Sequence, residues 1–309
     1  MQDAKVCIIG PGAMGSFYYW KFVQAGFEQT ALLAGGERAR RLRENGIRIN
    51  GQTVPARVVT PEDTDYAADL VIVAVKYHHL GQVVAEMKNL VAESTLILSV
   101  MNGIDSEEIL ARSYGWDKVL YAIALGIDAQ REPDQVRVTN QGTVYFGEKT
   151  NKETSPRVQR VAELFQAADI AGQIPEDMIR VMWWKYMINV GVNQVSAVLR
   201  APFGTFQASE DARDLMQEAM QEVIDVAGAK GIQLGQEDIQ SWLRVMDTLD
   251  PKGRTSMCQD VLAGRKTEVE MFAGILLRMG REHNVPTPLN GYLFQLLRAI
   301  EQDMGADAP

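Results

Sequence analysis

Apolar residues in the first hundred positions fall in short uninterrupted runs. Lys5 to Ile9 (K-V-C-I-I), Thr30 to Ala34, Asp69 to Val75 and Thr95 to Val100 each contain almost no polar residue. Runs without polar alternation are the pattern of strands buried on both faces of a parallel sheet. Between them, Ser16 to about Gln24, Glu37 to Glu44 and Leu80 to Leu90 read as helices, the second stopped by Asn45-Gly46. Ile47–Ile49, Thr53–Val54 and Arg57–Val59 read as short strands around an Asn50-Gly51 turn. Alternating strands and helices imply an open parallel sheet with right-handed crossovers.

The pattern then changes twice. Val119 to Ile127 is apolar, and Gln135–Thr139 and Thr143–Phe146 flank Asn140-Gln141-Gly142, which predicts an antiparallel hairpin turning at those three residues. Pro156 to Ala168 reads as a helix closing this half. From about Pro175 onward the pattern is helical. Amphipathic segments run over Met178–Leu199, Gln207–Ala229, Gln236–Leu249, Thr267–Glu282 and Leu289–Met304. Breaks fall at Ala201-Pro202-Phe203-Gly204, Lys230-Gly231, Asp250-Pro251 and Pro286-Thr287-Pro288. The expected organisation is an α/β domain over 1–172 and an all-α domain over 173–309.

Composition narrows the partners. The chain has 309 residues, 46% hydrophobic and 23% charged, with a net charge of −9. An acidic surface argues against nucleic acid or an anionic membrane as the main partner, and no apolar run is long enough to span a bilayer. Cys7 and Cys258 read as two unpaired thiols in a reducing compartment, and no basic leader or cleavage site opens the chain, so a cytoplasmic protein is expected. The histidines, His78, His79 and His283, have no metal-binding spacing. The apolar content of the helical half suits a homodimer as well as a compact monomer.

The first run leads straight into Gly10-Pro11-Gly12-Ala13-Met14-Gly15, a G-x-G-x-x-G loop that opens a helix. Strand, glycine loop and helix form a dinucleotide-binding fingerprint. The first Gly permits the tight turn, the second lets backbone approach a pyrophosphate, and the third allows close helix–strand packing. Free N–H groups at the helix start hold the phosphates. The N-terminal half is therefore expected to be a Rossmann-type doubly wound sheet, with Gly10, Pro11, Gly12, Ala13, Met14 and Gly15 at the cofactor. Two further positions lie at strand ends facing the same crevice: Lys76 after Val75, and Asn102-Gly103 after Val100.

The helical half carries the polar chemistry. Lys185, Asn189 and Asn193 are spaced four apart among Met182, Met187, Ile188, Val190, Val192 and Val195. Each step of four advances ~40° beyond a turn, so the three share one broad face over ~12 Å. A structural amide network with Lys185 reaching outward is the alternative role. Thr267 and Glu270 predict a capping box, placing Glu268 in the first turn of a new helix, and Ser256 sits at a helix start near Thr255.

Taken together, the chain resembles the ketopantoate reductases, within the wider 6-phosphogluconate-dehydrogenase-like group. The resemblance rests on the G-P-G-A-M-G loop, Val75-Lys76, Asn102-Gly103, W-W-K-Y-M-I-N-V-G-V-N from Trp183 to Asn193, and S-M-C-Q-D-V-L-A-G-R-K-T-E from Ser256 to Glu268. It implies Lys185 as general acid and Glu268 as a substrate-binding group that orders the site. It also implies that Asn189, Asn193 and Ser256 hold the substrate's hydroxyl and carboxylate. Asn102 would then sit where cofactor and substrate meet, and Lys76 near the cofactor. The chemistry agrees: hydride addition to a ketone builds an alkoxide, which a desolvated lysine can stabilise and protonate.

Many members of that family end the second strand with an arginine that binds the 2′-phosphate of NADP. Here Gly35 holds that position, and no aspartate marks NAD either. Arg38, Arg40 or Arg41 on the following helix could reach a 2′-phosphate, so NADP(H) is favoured and NAD(H) remains open. The reading is an NADPH-dependent reductase of 2-dehydropantoate. Its rivals are a D-2-hydroxyacid dehydrogenase acting on another branched 2-keto acid, and a dinucleotide sensor without turnover.

Overall fold

The computed structural model describes residues 2–306. The chain forms two compact units, Met1–Ile179 and Arg180–Pro309.

In the first unit, β1 (Val6–Ile9), β2 (Ala31–Leu33), β5 (Val58–Val59), β6 (Leu70–Val73) and β7 (Leu96–Ser99) pair in parallel in the order β7-β6-β1-β2-β5. Their side chains are nearly all buried, as strands covered on both faces require. Helices α1 (Ala13–Gln24) and α2 (Gly36–Asn45) follow β1 and β2, and α3 (Leu80–Glu86) and α4 (Ser106–Tyr114) follow β6 and β7. The apolar side chains separate into two clusters. One holds Ile8, Phe17, Phe22, Leu32 and Ile72, and the other holds Ile9, Leu33, Val73, Leu80 and Leu110. Alternate residues of each strand thus feed opposite layers. Because successive connections leave β1 toward both sides, the order reverses at β1 and β6, and the crevice lies at their carboxyl ends.

The sheet continues through β3 (Ile47–Ile49), β4 (Gln52–Val54), β8 (Val119–Arg131) and β9 (Val136–Gly147), giving β4-β3-β9-β8-β7 on that side, and β10 (Gly172–Gln173) adds beside β9. The hairpin differs from the sequence expectation. Val136–Thr139 and Thr143–Phe146 belong to one strand, β9, antiparallel to β8, and the chain reverses at Glu132–Gln135. Asn140-Gln141-Gly142 lies within the strand at a bulge: Asp128 faces Asn140, Ala129 faces Val138, and Thr139 is the extra residue. Gly142 has φ +51°, and a Cβ there would stand 2.2 Å from the Leu125 carbonyl oxygen. Gly142 thus lies in register three residues from the bulge, where the backbone of β8 comes too close for a side chain, and it serves no turn. Helix α4 was not expected from the pattern, because Ser106 and Glu107 face inward and break its apolar stripe. Helix α5 (Pro156–Ala167) closes the unit, with Ser155 capping Val158 N–H.

In the second unit α6 (Met178–Ile188) enters from the boundary, passes through a π-turn at Asn189–Asn193 and continues as α7 (Gln194–Leu199). Helix α8 (Phe203–Ala208) and α9 (Glu210–Ala229) are separate, because Ser209 leaves helical geometry and caps Ala212 N–H. The expected single helix from Gln207 is thus broken. Then follow α10 (Gln236–Met246), α11 (Ser256–Leu262), a second π-turn at Glu270–Gly274, α12 (Ile275–His283) and α13 (Pro288–Ala306). Met182, Trp183, Met187, Met216, Met220 and Leu276 fill the core. The Thr267–Glu270 capping box does not form. Thr267 N–H and its hydroxyl both donate to Glu301, at 2.7 and 2.6 Å, while Glu270 pairs with Arg298. A carboxylate from α13 therefore replaces the local cap. Among the described residues no helix is long and apolar enough to cross a membrane.

Candidate active site

The glycine loop fits a dinucleotide by construction. A Cβ on Gly10 would stand 2.6 Å from Val75 Cγ1 and 2.7 Å from the Ala74 oxygen, and one on Gly15 would stand 2.1 Å from the Gly10 oxygen. Both positions are closed to any side chain, which seats the start of α1 tightly on β1 and the end of β6. Gly12 is the opposite case: its nearest neighbour would be 4.0 Å away. Gly12 is also the N-cap of α1 and offers no capping side chain. Open space in front of an uncapped helix N-terminus is what a pyrophosphate needs. Gly12 is exposed, with Pro11 buried before it and Ala13 and Met14 half-buried after it.

Lys76 follows β6, and Asn102, half-buried, follows β7. The two strand ends are joined by Tyr77 Oη donating to Asp105 at 2.8 Å. The first turn of α4 holds a group that sequence reasoning missed. Glu107 is 2% exposed, with Ser106 Oγ 3.0 Å from its carboxylate and 2.7 Å from Ser99 Oγ. Burial pushes its carboxyl up to about 7, against opposing hydrogen bonds from backbone N–H groups and Ser106. The folded protein therefore holds this proton more tightly than the unfolded chain does. The part of the stability that Glu107 contributes is fullest below pH 4.5 and is lost as pH rises through about 7. The full span is worth about 3 kcal/mol. Glu107→Gln should remove that contribution: between pH 4.5 and 8 its denaturation midpoint should fall less steeply than that of the wild type. Parallel slopes would contradict the assignment.

In the second unit Lys185 is 9% exposed and Asn193 5%. The π-turn changes the expected spacing but keeps the two amides together: Asn193 Nδ2 donates to Asn189 Oδ1 at 3.0 Å. Asn189 Nδ2 is buried and has no hydrogen-bond partner among the described residues. An unmet buried donor is costly unless a ligand meets it. Tyr186, next to Lys185, donates from Oη to the Phe272 carbonyl at 2.6 Å, fastening this rod to the π-turn that follows Glu268. Ser256 is exposed in the first turn of α11. Its neighbour Thr255 lies 2.6 Å from Ser196 Oγ, which donates to the Asn193 carbonyl. The segments that carry Lys185, Asn189, Asn193, Ser256 and Glu268 are thus tied to one another within the second unit, while the glycine loop, Lys76 and Asn102 belong to the first.

At the start of α2 the candidate arginines separate. Arg40 is spent on Glu37 and Glu44. Arg38 and Arg41 have no carboxylate within ion-pair distance among the described residues, and neither does Arg131 at the end of β8. Desolvation and the neighbouring cations Arg41 and Arg131 lower the pKa of Arg38, with Glu86 opposing. Arg131 lies 93 residues beyond Arg38 in the numbering, and no local signal marked it.

A Rossmann-type sheet with a glycine-loop cradle, followed by a helical unit with a buried lysine and amides, defines a nicotinamide-dependent oxidoreductase. The ketopantoate reductase PanE/ApbA family matches residues 6–151, and its C-terminal domain matches residues 177–301, so the chain belongs to the ketopantoate reductase family. A 2-dehydropantoate 2-reductase from Halobacterium salinarum is 28% identical over 97% of this chain and 99% of its own. The crystal structure of a 2-dehydropantoate 2-reductase from Geobacter metallireducens is 26% identical, with a TM-score of 0.85, over 95% of this chain and 99% of the other. The same fold is found in a D-mandelate dehydrogenase with NADH and anilino(oxo)acetate, at a TM-score of 0.88 and 22% identity over 97% and 99% of the two chains.

Proposed function

We propose that this protein reduces 2-dehydropantoate to pantoate with NADPH, a step toward pantothenate and coenzyme A. In this reading residues 1–172 bind the cofactor and 173–309 carry the substrate and the acid. The observation that carries it is the buried Lys185 on one rod with Asn189, whose amide N–H₂ has no partner among the described residues.

The nicotinamide, when bound, supplies the hydride. Lys185 holds a proton at the substrate's ketone oxygen, where its charge stabilises the developing alkoxide before the proton moves. Asn189 and Asn193 donate to the substrate's hydroxyl or carboxylate, and Ser256 adds a hydroxyl from the start of α11. Glu268 accepts from the substrate hydroxyl. Asn102 orients the reacting groups, and Lys76 lies against the cofactor. A site built to bond a hydroxyl rejects an analogue that lacks it. Initial rates with ketopantoate and with 3-methyl-2-oxobutanoate, which lacks only the hydroxymethyl group, test this. The reading expects kcat/KM to favour ketopantoate by about 10²-fold or more. Equal values would favour the second reading, a D-2-hydroxyacid dehydrogenase for another branched keto acid using NAD. Gly35, which leaves no arginine at the end of β2, favours that second reading.

For the cofactor, Arg38, Arg41 and Arg131 support NADPH, because clustered cations without carboxylate partners suit a dianionic 2′-phosphate. Arg38→Ala should raise the Kd for NADPH about 10-fold and leave that for NADH within about twofold. Titration of nicotinamide fluorescence measures both. An equal loss for the two cofactors would contradict the role.

A further inference from the structure

The rod that carries Lys185 is not a plain α-helix, and its interruption at Asn189–Asn193 coincides with the two amides. A π-turn accommodates one more residue than an α-turn, so everything after it is rotated by ~100° relative to an uninterrupted helix. The default for a buried apolar rod is regular α geometry, and the turn needs something to favour it.

That support is a chain of buried amides. The ordinary helical partner of the Val190 carbonyl is the N–H of Gln194; here the Gln194 side chain reaches back and Nε2 donates to that carbonyl at 2.8 Å. The same Nε2 donates to Asn290 Oδ1 on α13 at 2.9 Å. Asn290 Nδ2 in turn donates to Glu222 Oε2 on α9 at 2.7 Å and to the Ala219 carbonyl at 3.2 Å. Glu222 is fixed from the other side by the N–H groups of Leu289 and Asn290, at 2.8 and 3.0 Å, in the first turn of α13. Gln194 and Asn290 are fully buried and Glu222 is 9% exposed. Gln194 Oε1 is buried without a partner among the described residues, but the donors of the chain, Gln194 Nε2, Asn290 Nδ2 and the two N–H groups of α13, each meet an acceptor and together specify one geometry.

We propose that Gln194, Asn290 and Glu222 are positioning residues, a relay that holds the π-turn open and thereby aims the Asn189 amide at the substrate. None of the three needs to touch substrate. The inference rests on the reading of Asn189 as a substrate ligand. When the relay is cut, the turn relaxes toward α geometry and the Asn189 donor swings away, although the fold persists.

The test compares Gln194→Met, Asn189→Ala and the double variant in the full-length enzyme with ketopantoate and NADPH. Gln194→Met keeps the length and apolar bulk of the side chain and removes its donor. The relay predicts a KM for ketopantoate raised about 10-fold, since small misplacements of positioning groups are costly. The Kd for NADPH should stay within about twofold, and the double variant should be no worse than Asn189→Ala alone, because both act through one amide. A merely structural role would lower Tm and leave KM unchanged. Glu222→Gln, which keeps the shape but sets a donor against the donors of α13, should raise KM in the same way if Gln194→Met proves too unstable to assay. Two results overturn the relay: KM within twofold of wild type in Gln194→Met or Glu222→Gln while Asn189→Ala raises it, or multiplicative losses in the double variant. If Asn189→Ala itself keeps wild-type KM, the ligand reading fails, and the relay falls with it.

Discussion

Lys185→Ala should lower kcat with ketopantoate by about 10²-fold or more while the Kd for NADPH stays near its wild-type value. The argument is electrostatic. Lys185 is 9% exposed on a rod whose neighbours Met182, Tyr186 and Met187 are buried. A cation in such surroundings interacts with a developing oxyanion far more strongly than it would in water. Alanine removes both the charge and the proton. Single-turnover rates under saturating cofactor separate the chemical step from binding. A kcat within a fewfold of wild type would mean that another group delivers the proton.

Gly15→Ala should have the second large effect. The new Cβ would stand 2.1 Å from the Gly10 carbonyl oxygen and 3.3 Å from Ile8 Cγ2. A backbone atom cannot give way cheaply, so α1 must lift from β1. Overpacking of this kind costs about 1–3 kcal/mol, and the displaced helix start no longer presents its N–H groups to a pyrophosphate. The variant should therefore lose both stability and cofactor affinity. Gly12→Ala provides the contrast. Its Cβ enters open space, so Tm should hold while the Kd for NADPH rises. Equal Tm losses in the two variants would contradict this division of roles.

What was legible in the sequence follows from which interactions are local. Strands buried on both faces announced themselves as unbroken apolar runs, and the glycine loop could be read because its constraints lie within six residues. The hairpin was misread because a glycine after Asn-Gln looks the same whether it serves a turn or a close approach of two strands. Only the pairing of Gly142 opposite the Leu125–Ile127 stretch decides it. The Thr267 cap went astray for a related reason: the carboxylate that bonds it comes from Glu301, 34 residues away. The pairing of Asn189 with Asn193 was visible from their spacing, but the π-turn was not, since its support comes from Asn290, 96 residues from Gln194. Arg131 escaped in the same way. Local chemistry reached the candidate site, and the groups that shape it belong to tertiary contacts.

The most direct test of the account is NADPH oxidation by the purified enzyme with ketopantoate, read against pantoate formed. One pantoate per NADPH consumed, with KM below about a millimolar and NADPH preferred to NADH, is the predicted result. Cofactor binding without turnover of ketopantoate would contradict it.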